Sequence, residues 1–286
     1  MDRSRLPPDL AAAMVSANQP LDLVAAIDRS RDRLGPFGRP LLFFESTGST
    51  NDVARLLVAS ADCEGAVVIA NEQTAGRGRR GRTWHSPAES GLYVSIVLTP
   101  VRAEVDPVRA TALLTLAAGV GLVEGIEHGS GLRTDLKWPN DLYVSRRKLG
   151  GILAESCETR EGAVQVVVGY GINVSLAAYP SELRDRATNL ELELGRPIDR
   201  HGRYVLAVET LVGLRRRYED LLAGRFDAIL DAWRARAPGN VGACVTWSTP
   251  TGSQVGVTAG IDDRGALLVR IDDRVERIVS GELTWS

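Results

Sequence analysis

The chain has 286 residues, 44% of them hydrophobic and 24% charged, with a formal net charge of −2. These are the proportions of an ordinary globular protein, long enough for one large core and a smaller module. A near-neutral charge excludes a general nucleic-acid binder, whose footprint is a basic domain. Cys63, Cys157 and Cys244 are odd in number and scattered, as are His85, His128 and His201. That excludes a disulfide framework and leaves no metal-ligand spacing, so a reducing compartment is expected.

In chain order, MDRSRLPPDL lacks the apolar core of a signal peptide, and a cytoplasmic location is expected. Residues 9–16 and 21–34 carry helical patterns that end in the breaker GPFGRP, giving a short helical extension over 1–40. LLFFE (41–45) reads as a strand, and STND (49–52) is a capping-box pattern that starts a helix. AVVIA (66–70) and LYVSIVL (92–98) are strands, joined by a loop containing QTAGRGRRGRTWHSP. A long helix is predicted over 107–127. Its apolar run, 110–123, is fourteen residues, too short to span a bilayer and read as buried helix. No membrane association is expected.

Strands then follow at 132–137, 141–144, 151–156 and 163–169, with helices at 203–222 and 226–236. After APGN (237–240) the pattern switches to short strands parted by the turn signals PTG, DDRG and DD. This predicts a domain over 41–238 and a small β-barrel over 239–286. The larger part mixes strands with helices and is α+β, with helices on one face of a mixed β-sheet.

The chemistry concentrates in a few places. Gly76–Arg82 holds four arginines and three glycines. Glycine lets a backbone approach a ligand closely, and arginine forks suit phosphate or carboxylate. Without an anion, mutual repulsion should leave this loop mobile, and it could order over a bound anion. Trp84 can stack on a planar ring. Taken alone, the loop also fits a solvated hairpin tip and Trp84 a half-buried core residue. No phosphate loop ending in Gly-Lys-Ser/Thr occurs. Only two of the 34 basic residues are lysines, Lys137 and Lys148. Chance could leave two, but lysine is a compact point charge where arginine is a planar fork, so the exceptions mark a site worth testing. KWPNDLYV sets Asn140 and Asp141 at a strand end, where turn chemistry is the plainer explanation. RKLGGILAES sets Lys148 before a Gly-Gly pair, where it can face a developing oxyanion or be a plain surface lysine of a hairpin. VVVGYGINV reads as a strand leaving through Gly-x-Gly to Asn173, which can read an adenine edge or serve a turn.

Taken in order, STND, EQTAGRGRRGRTWHSP, GLYVSIVL, LKWPNDLYV, RKLGGILAE, GYGINV and GIDDRGALLV resemble the biotin protein ligases over about residues 41–286. The resemblance implies a catalytic domain of the biotin/lipoate ligase type and an SH3-like C-terminal β-barrel that contributes to ATP and acceptor binding. It implies that biotin and ATP form biotinyl-5′-adenylate and pyrophosphate, and that biotin passes to a lysine of a biotin carboxyl carrier protein. Acetyl-CoA carboxylase supplies such a carrier. Ser49, Thr50, Asn51, Gln73, Gly76, Arg77, Lys148 and Gly151 would bind biotin. Arg77, Arg79, Arg80, Arg82, Trp84, Asn140, Lys148 and Asn173 would bind ATP and the adenylate, with Lys148 and Arg79 catalytic. Lys137 and Asp141 would orient the acceptor. Mg²⁺ is expected on the ATP phosphates, with no protein metal cage. About 40 residues precede the catalytic part, too few for the winged helix of bifunctional members, so a monofunctional enzyme without specific DNA binding is expected. A lipoate–protein ligase and a biotin-responsive repressor are the rival readings.

Overall fold

The computed structural model describes residues 19–58, 63–159, 161–249, 252–281 and 283–285, and the predicted helix at 9–16 lies outside these. A seven-stranded sheet is built from β1 (Leu41–Phe44), β2 (Val67–Ala70), β3 (Gly91–Leu98), β4 (Asp135–Lys137), β5 (Asp141–Val144), β6 (Arg147–Glu158) and β7 (Val164–Asn173). Its spatial order is β1-β2-β3-β7-β6-β5-β4. β1 and β2 run parallel and the remaining neighbours antiparallel, so the sheet is mixed, as expected.

Successive residues of a strand face opposite sides of its sheet, and this sorts the helices. Val94, Ile96, Leu98, Val166 and Val168 enter the main core, whereas Val97 and Val167 enter a separate cluster. The first face is covered by α1 (Leu21–Arg29), α2 (Arg31–Leu34), α4 (Pro107–Ser130), α6 (Arg200–Leu222) and α7 (Phe226–Arg236). The other face takes α3 (Thr50–Val58), whose Ala54, Leu57 and Val58 pack on Val68, Val97 and Val167. Helices therefore lie on both faces, which corrects the expectation of one. α3 is short and covers only part of its side, so the rest of that face is free to hold a site.

The helix α4 runs 24 residues from an Asp106 cap, whose carboxylate accepts from the Arg109 amide, to a left-handed Gly131. That is long and apolar enough to cross a membrane, unlike the fourteen-residue run considered above, but 72% of its apolar window is buried in the protein. Its glycines explain the burial. A Cβ on Gly121 would lie 2.6 Å from Leu214 Cα, and one on Gly125 2.5 Å from Glu209 O. The α4 and α6 backbones thus touch, and the loss of about 1 kcal/mol per helical glycine is offset by that close packing. Residues 21–37 are part of this core, with Leu23, Leu34 and Phe37 fully buried.

A second, antiparallel sheet holds β8 (Val241–Thr249), β9 (Gly252–Ile261), β10 (Leu267–Ile271), β11 (Arg274–Ile278) and β12 (Leu283–Trp285), in the order β11-β10-β9-β8-β12. The last strand and a short α5 (Leu190–Leu194) escaped the sequence patterns. This module seats on the first through the β9–β10 turn. The Trp138 indole donates to Gly265 O at 2.9 Å, Arg109 Nε donates to Asp263 O at 2.8 Å, and Gly265 nestles against Leu113 and Leu116.

Candidate active site

Strand register brings the sequence motifs together. Lys137 pairs with Asp141, Asp141 with Gly151, Gly151 with Gly171, and Gly171 with Tyr93. Directly paired residues share a face, so KWPND, KLGG and GYG contribute to a single row across five strands. The neighbouring row holds Ser95 opposite Gly169 and Gly169 opposite Leu153. The two motif strands differ from expectation. β6 begins at Arg147, so Lys148 lies within it, and β7 continues through Asn173, so Gly-x-Gly is strand interior and not an exit turn.

That interior position makes the glycines a floor. A Cβ on Gly169 would sit 2.0 Å from Asn51 Oδ1, and one on Gly171 would sit 2.4 Å from the Trp84 indole nitrogen. Trp84 therefore lies directly over the strand, and its buried Nε1 has no hydrogen-bond partner among the described residues. Beside the floor, Lys148 Nζ is 2.7 Å from Asp141 Oδ1 and 5.5 Å from the Trp84 ring centroid. The Lys148 backbone is tied to the 186–188 segment, with its N–H on Arg186 O at 2.8 Å and its C=O accepting from Thr188 N at 2.9 Å.

The first turn of α3 enters a polar network. Gln73 Oε1 accepts from the Thr50 amide at 2.9 Å, taking a leading helix N–H that would otherwise lack a partner. Gln73 Nε2 donates to Ser86 Oγ at 3.0 Å. Ser95 Oγ lies 2.7 Å from Thr50 Oγ1 and 2.6 Å from Asn51 Oδ1, while Asn51 Nδ2 donates to Glu155 Oε2 at 2.7 Å. Ser49, Thr50 and Asn51 are all buried here, so their rotamers are fixed by partners and neighbours.

Over the floor stands the arginine loop, closed on itself as a small hairpin. Gly78 N donates to Arg82 O at 2.7 Å and Trp84 N to Gly76 O at 2.9 Å. Gly76 is buried beneath it, where a Cβ would strike Trp84 O at 2.5 Å. Charge repulsion is relieved by local partners. Arg77 forms a bidentate pair with Asp52, both contacts 2.6 Å, and its hydrogen bonds hold the Asp52 carboxyl below the usual carboxylate range. Arg79 donates to Asn140 Oδ1 at 3.1 Å and to Gly281 O at 3.4 Å, joining the loop to both modules.

These parts enclose a cavity of about 900 Å³. It is lined by Ser49, Thr50, Asn51, Gln73, Arg77, Arg79, Arg80, Arg82, Trp84, Lys137, Asn140, Asp141, Lys148, Gly151 and Asn173. Of the predicted site residues only Gly76 falls outside the lining, being underneath the loop. Asn140 Nδ2 donates to Ile152 O at 2.7 Å and Asn173 Nδ2 to Thr188 O at 3.0 Å. Both amides are thus spent on backbone carbonyls, which fixes these side chains. Sequence reasoning missed Asp135, Tyr143, Arg146, Trp285 and the 178–187 segment with Tyr179 and Arg186. The segment carries no periodic pattern; a backbone bridge to Lys148 holds it at the cavity. Burial pushes the Asp135 carboxyl up, against the attraction of Arg133 and Arg236. Among the described residues, no group of three or more His, Cys, Asp or Glu side chains could hold a metal ion.

A cavity that sets fixed cations beside a glycine floor, with a second module at one end, suits an anionic ligand. Residues 43–173 match the Biotin/lipoate A/B protein ligase family, and residues 245–283 match the Biotin protein ligase C terminal domain. The chain is 34% identical to the biotin–[acetyl-CoA-carboxylase] ligase of Mycobacterium tuberculosis, over 88% of this chain and 92% of that protein. It is 36% identical to the bifunctional ligase/repressor BirA of Bacillus subtilis, over 86% of this chain and 74% of that one. Among solved structures, the biotin protein ligase of Aquifex aeolicus in complex with biotin and ATP superposes with a TM-score of 0.68 at 27% identity, covering 86% of this chain and 98% of its own. The chain belongs to the biotin/lipoate protein ligase family, and within it to the biotin protein ligases.

Proposed function

We infer that this chain is an ATP-dependent ligase that joins biotin, through biotinyl-5′-adenylate, to a lysine of a biotin carboxyl carrier protein. The observation that carries this reading is the single cavity in which the glycine floor, the arginine loop and Lys148 meet. A biotin carboxylate oxygen attacks the α-phosphorus of ATP and pyrophosphate leaves. The acceptor amine then attacks the acyl carbon and AMP leaves. Both reactants of the first step are anions, and fixed cations offset the repulsion between them.

In this reading Ser49, Thr50, Asn51 and Gln73 bind the biotin ring at the α3 end of the floor. Gly76, Arg77 and Gly151 shape that subsite. Lys148 neutralises the oxygens that gain charge, oriented by Asp141, which can also receive the acceptor ammonium. Arg79, Arg80 and Arg82 hold the adenylate under the loop. Trp84, Asn140 and Asn173 border the purine, and the orphaned Trp84 N–H offers a ligand one buried donor, a group rarely left unpaired. Mg²⁺ arrives with ATP as its phosphate complex, the usual way this ion is held at nucleotide sites. Residues 41–238, with 21–37 packed into their core, form the catalytic unit, and 239–286 the module that closes it. The compartment is the cytoplasm.

Pyrophosphate release tests this. It should require biotin and Mg-ATP together, and a carrier domain should gain biotin on one lysine. Release with lipoate and none with biotin would sink the reading. No sequence-specific DNA binding is proposed; a gel shift that tightens with biotin at physiological salt would restore the repressor alternative.

A further inference from the structure

Trp285 comes from the last strand of the C-terminal sheet, where it pairs with Val245 of β8. Its ring packs against Gly239, at which a Cβ would lie only 1.7 Å from the indole. Two cations approach this ring from the catalytic sheet. Lys137 Nζ is 5.6 Å from its centroid and Arg146 Cζ is 5.7 Å away. Lys137 also stands 5.2 Å from the Tyr143 ring. All four residues line the cavity.

Arg146 is held there at a cost. Ser145 and Arg146 form the two-residue turn between β5 and β6, with φ of 49° and 66°. Left-handed backbone is unfavourable for non-glycine residues and persists where the surroundings over-determine it. Among the described residues Arg146 meets no carboxylate. By contrast, Asp52 counters Arg77 and Asp141 counters Lys148. Arg146 therefore brings a charge with no carboxylate partner among the described residues to the module end of the cavity. The strand row gives the direction: Gly171 and Gly151 come first, then Asp141 with Lys148, then Lys137. A biotin lying from α3 toward Lys148 would meet the α-phosphate there, and the remaining phosphates would extend toward Lys137 and Arg146.

We propose that Trp285 is a positioning residue, which holds Lys137 and Arg146 on its indole for the β- and γ-phosphates of ATP. The ring's negative face offsets the repulsion between two neighbouring cations, so seating of the C-terminal module and grip on the nucleotide are one event. This rests on the ATP-dependent ligase reading. Lys137 is then assigned to the nucleotide and not to the acceptor.

The test measures biotin-dependent pyrophosphate release by full-length Trp285→Ala, Trp285→Phe, Arg146→Gln and the Trp285→Ala/Arg146→Gln double variant. Trp285→Ala and Arg146→Gln should each raise the KM for ATP by about two- to thirty-fold, the range that a cation–π contact supports. The KM for biotin should stay the same and Trp285→Phe should restore the wild-type value. The double variant should cost less than the product of the singles, because the two residues act through one contact. Three results would overturn the assignment: both KM values rising together, a rise only in the KM for the carrier domain, or no change in Arg146→Gln. Release by the wild type is the control, and its absence would count against the ligase reading alone.

Discussion

The floor and the wall of the cavity are built by opposite means. The floor is strand interior: Gly169 and Gly171 are held by β3 on one side and β6 on the other, and the neighbours that exclude a side chain there are the cavity-lining Asn51 and Trp84. The wall is a hairpin whose partly exposed arginines are steadied by polar contacts, with Arg77 on Asp52 and Arg79 on Asn140. Each exposed contact is worth little. One region holds shape through register, the other through contacts that a ligand can replace. Substrates can therefore remodel the wall while the floor stays fixed.

That contrast can be broken first at the floor. Gly169→Val forces Asn51 away and disrupts its contact with Ser95, at a cost of about 2–4 kcal/mol from overpacking and a lost buried hydrogen bond. Denaturant unfolding should register the loss, and biotin-dependent pyrophosphate release should disappear. A stable, active valine variant would mean the floor is not the binding surface. Next in size is Lys148→Ala, expected to slow adenylate formation by ~10²–10³-fold, as for loss of one oxyanion-stabilising group. Lys148→Arg should recover only part, because the fork cannot reproduce the point charge. Single-turnover kinetics would measure both, and wild-type rates in Lys148→Ala would remove it from the chemistry.

At the wall, effects should be smaller and of another kind. Arg79→Ala removes the bond to Asn140 and the bond to Gly281 while leaving the floor intact. Ordering a loop residue costs about 1–2 kcal/mol of backbone entropy, so closure sits near balance and should tip open. Adenylate should then escape and acylate a bystander such as albumin several-fold more than with wild type; equal labelling would argue that the loop does not retain it. Smallest is Asp52→Asn, worth about 0.2–1 kcal/mol for an exposed pair. Arg77 depresses the folded Asp52 pKa, so the pair's contribution is present above the unfolded value near 3.9 and fades as pH falls through the folded one. The stability gap between wild type and Asp52→Asn should close in acid, and a gap that widens there would contradict the pairing.

Much of this was legible in the sequence, for reasons that differ by element. β5 alternates, α7 buries one face and α4 is a long apolar run, each with clear end signals, and their limits were close to the observed ones. The motif residues were legible one by one, but nothing local says that Lys137, Asp141, Gly151 and Gly171 form one row. Register across three strand pairings decides that. GYGIN looked like a turn because glycines usually mark one, yet β3 and β6 pair on both sides of it and hold it extended. The 178–187 segment and Trp285 were illegible for a related reason. Their importance comes from contacts with residues far along the chain, Lys148 and Lys137, and no pattern within them announces it.

The two lysines have a practical corollary. Both line the cavity, Lys148 paired with Asp141 and Lys137 set between two rings, and every other side-chain cation but histidine is arginine. An amine-directed label, dye or resin thus has no lysine to react with on the outer surface. Coupling through amines must either use the chain's amino terminus or enter the active site. Nucleotide should then shield almost every modifiable side chain of the protein at once. An enzyme whose product acylates amines offers that product scarcely any of its own.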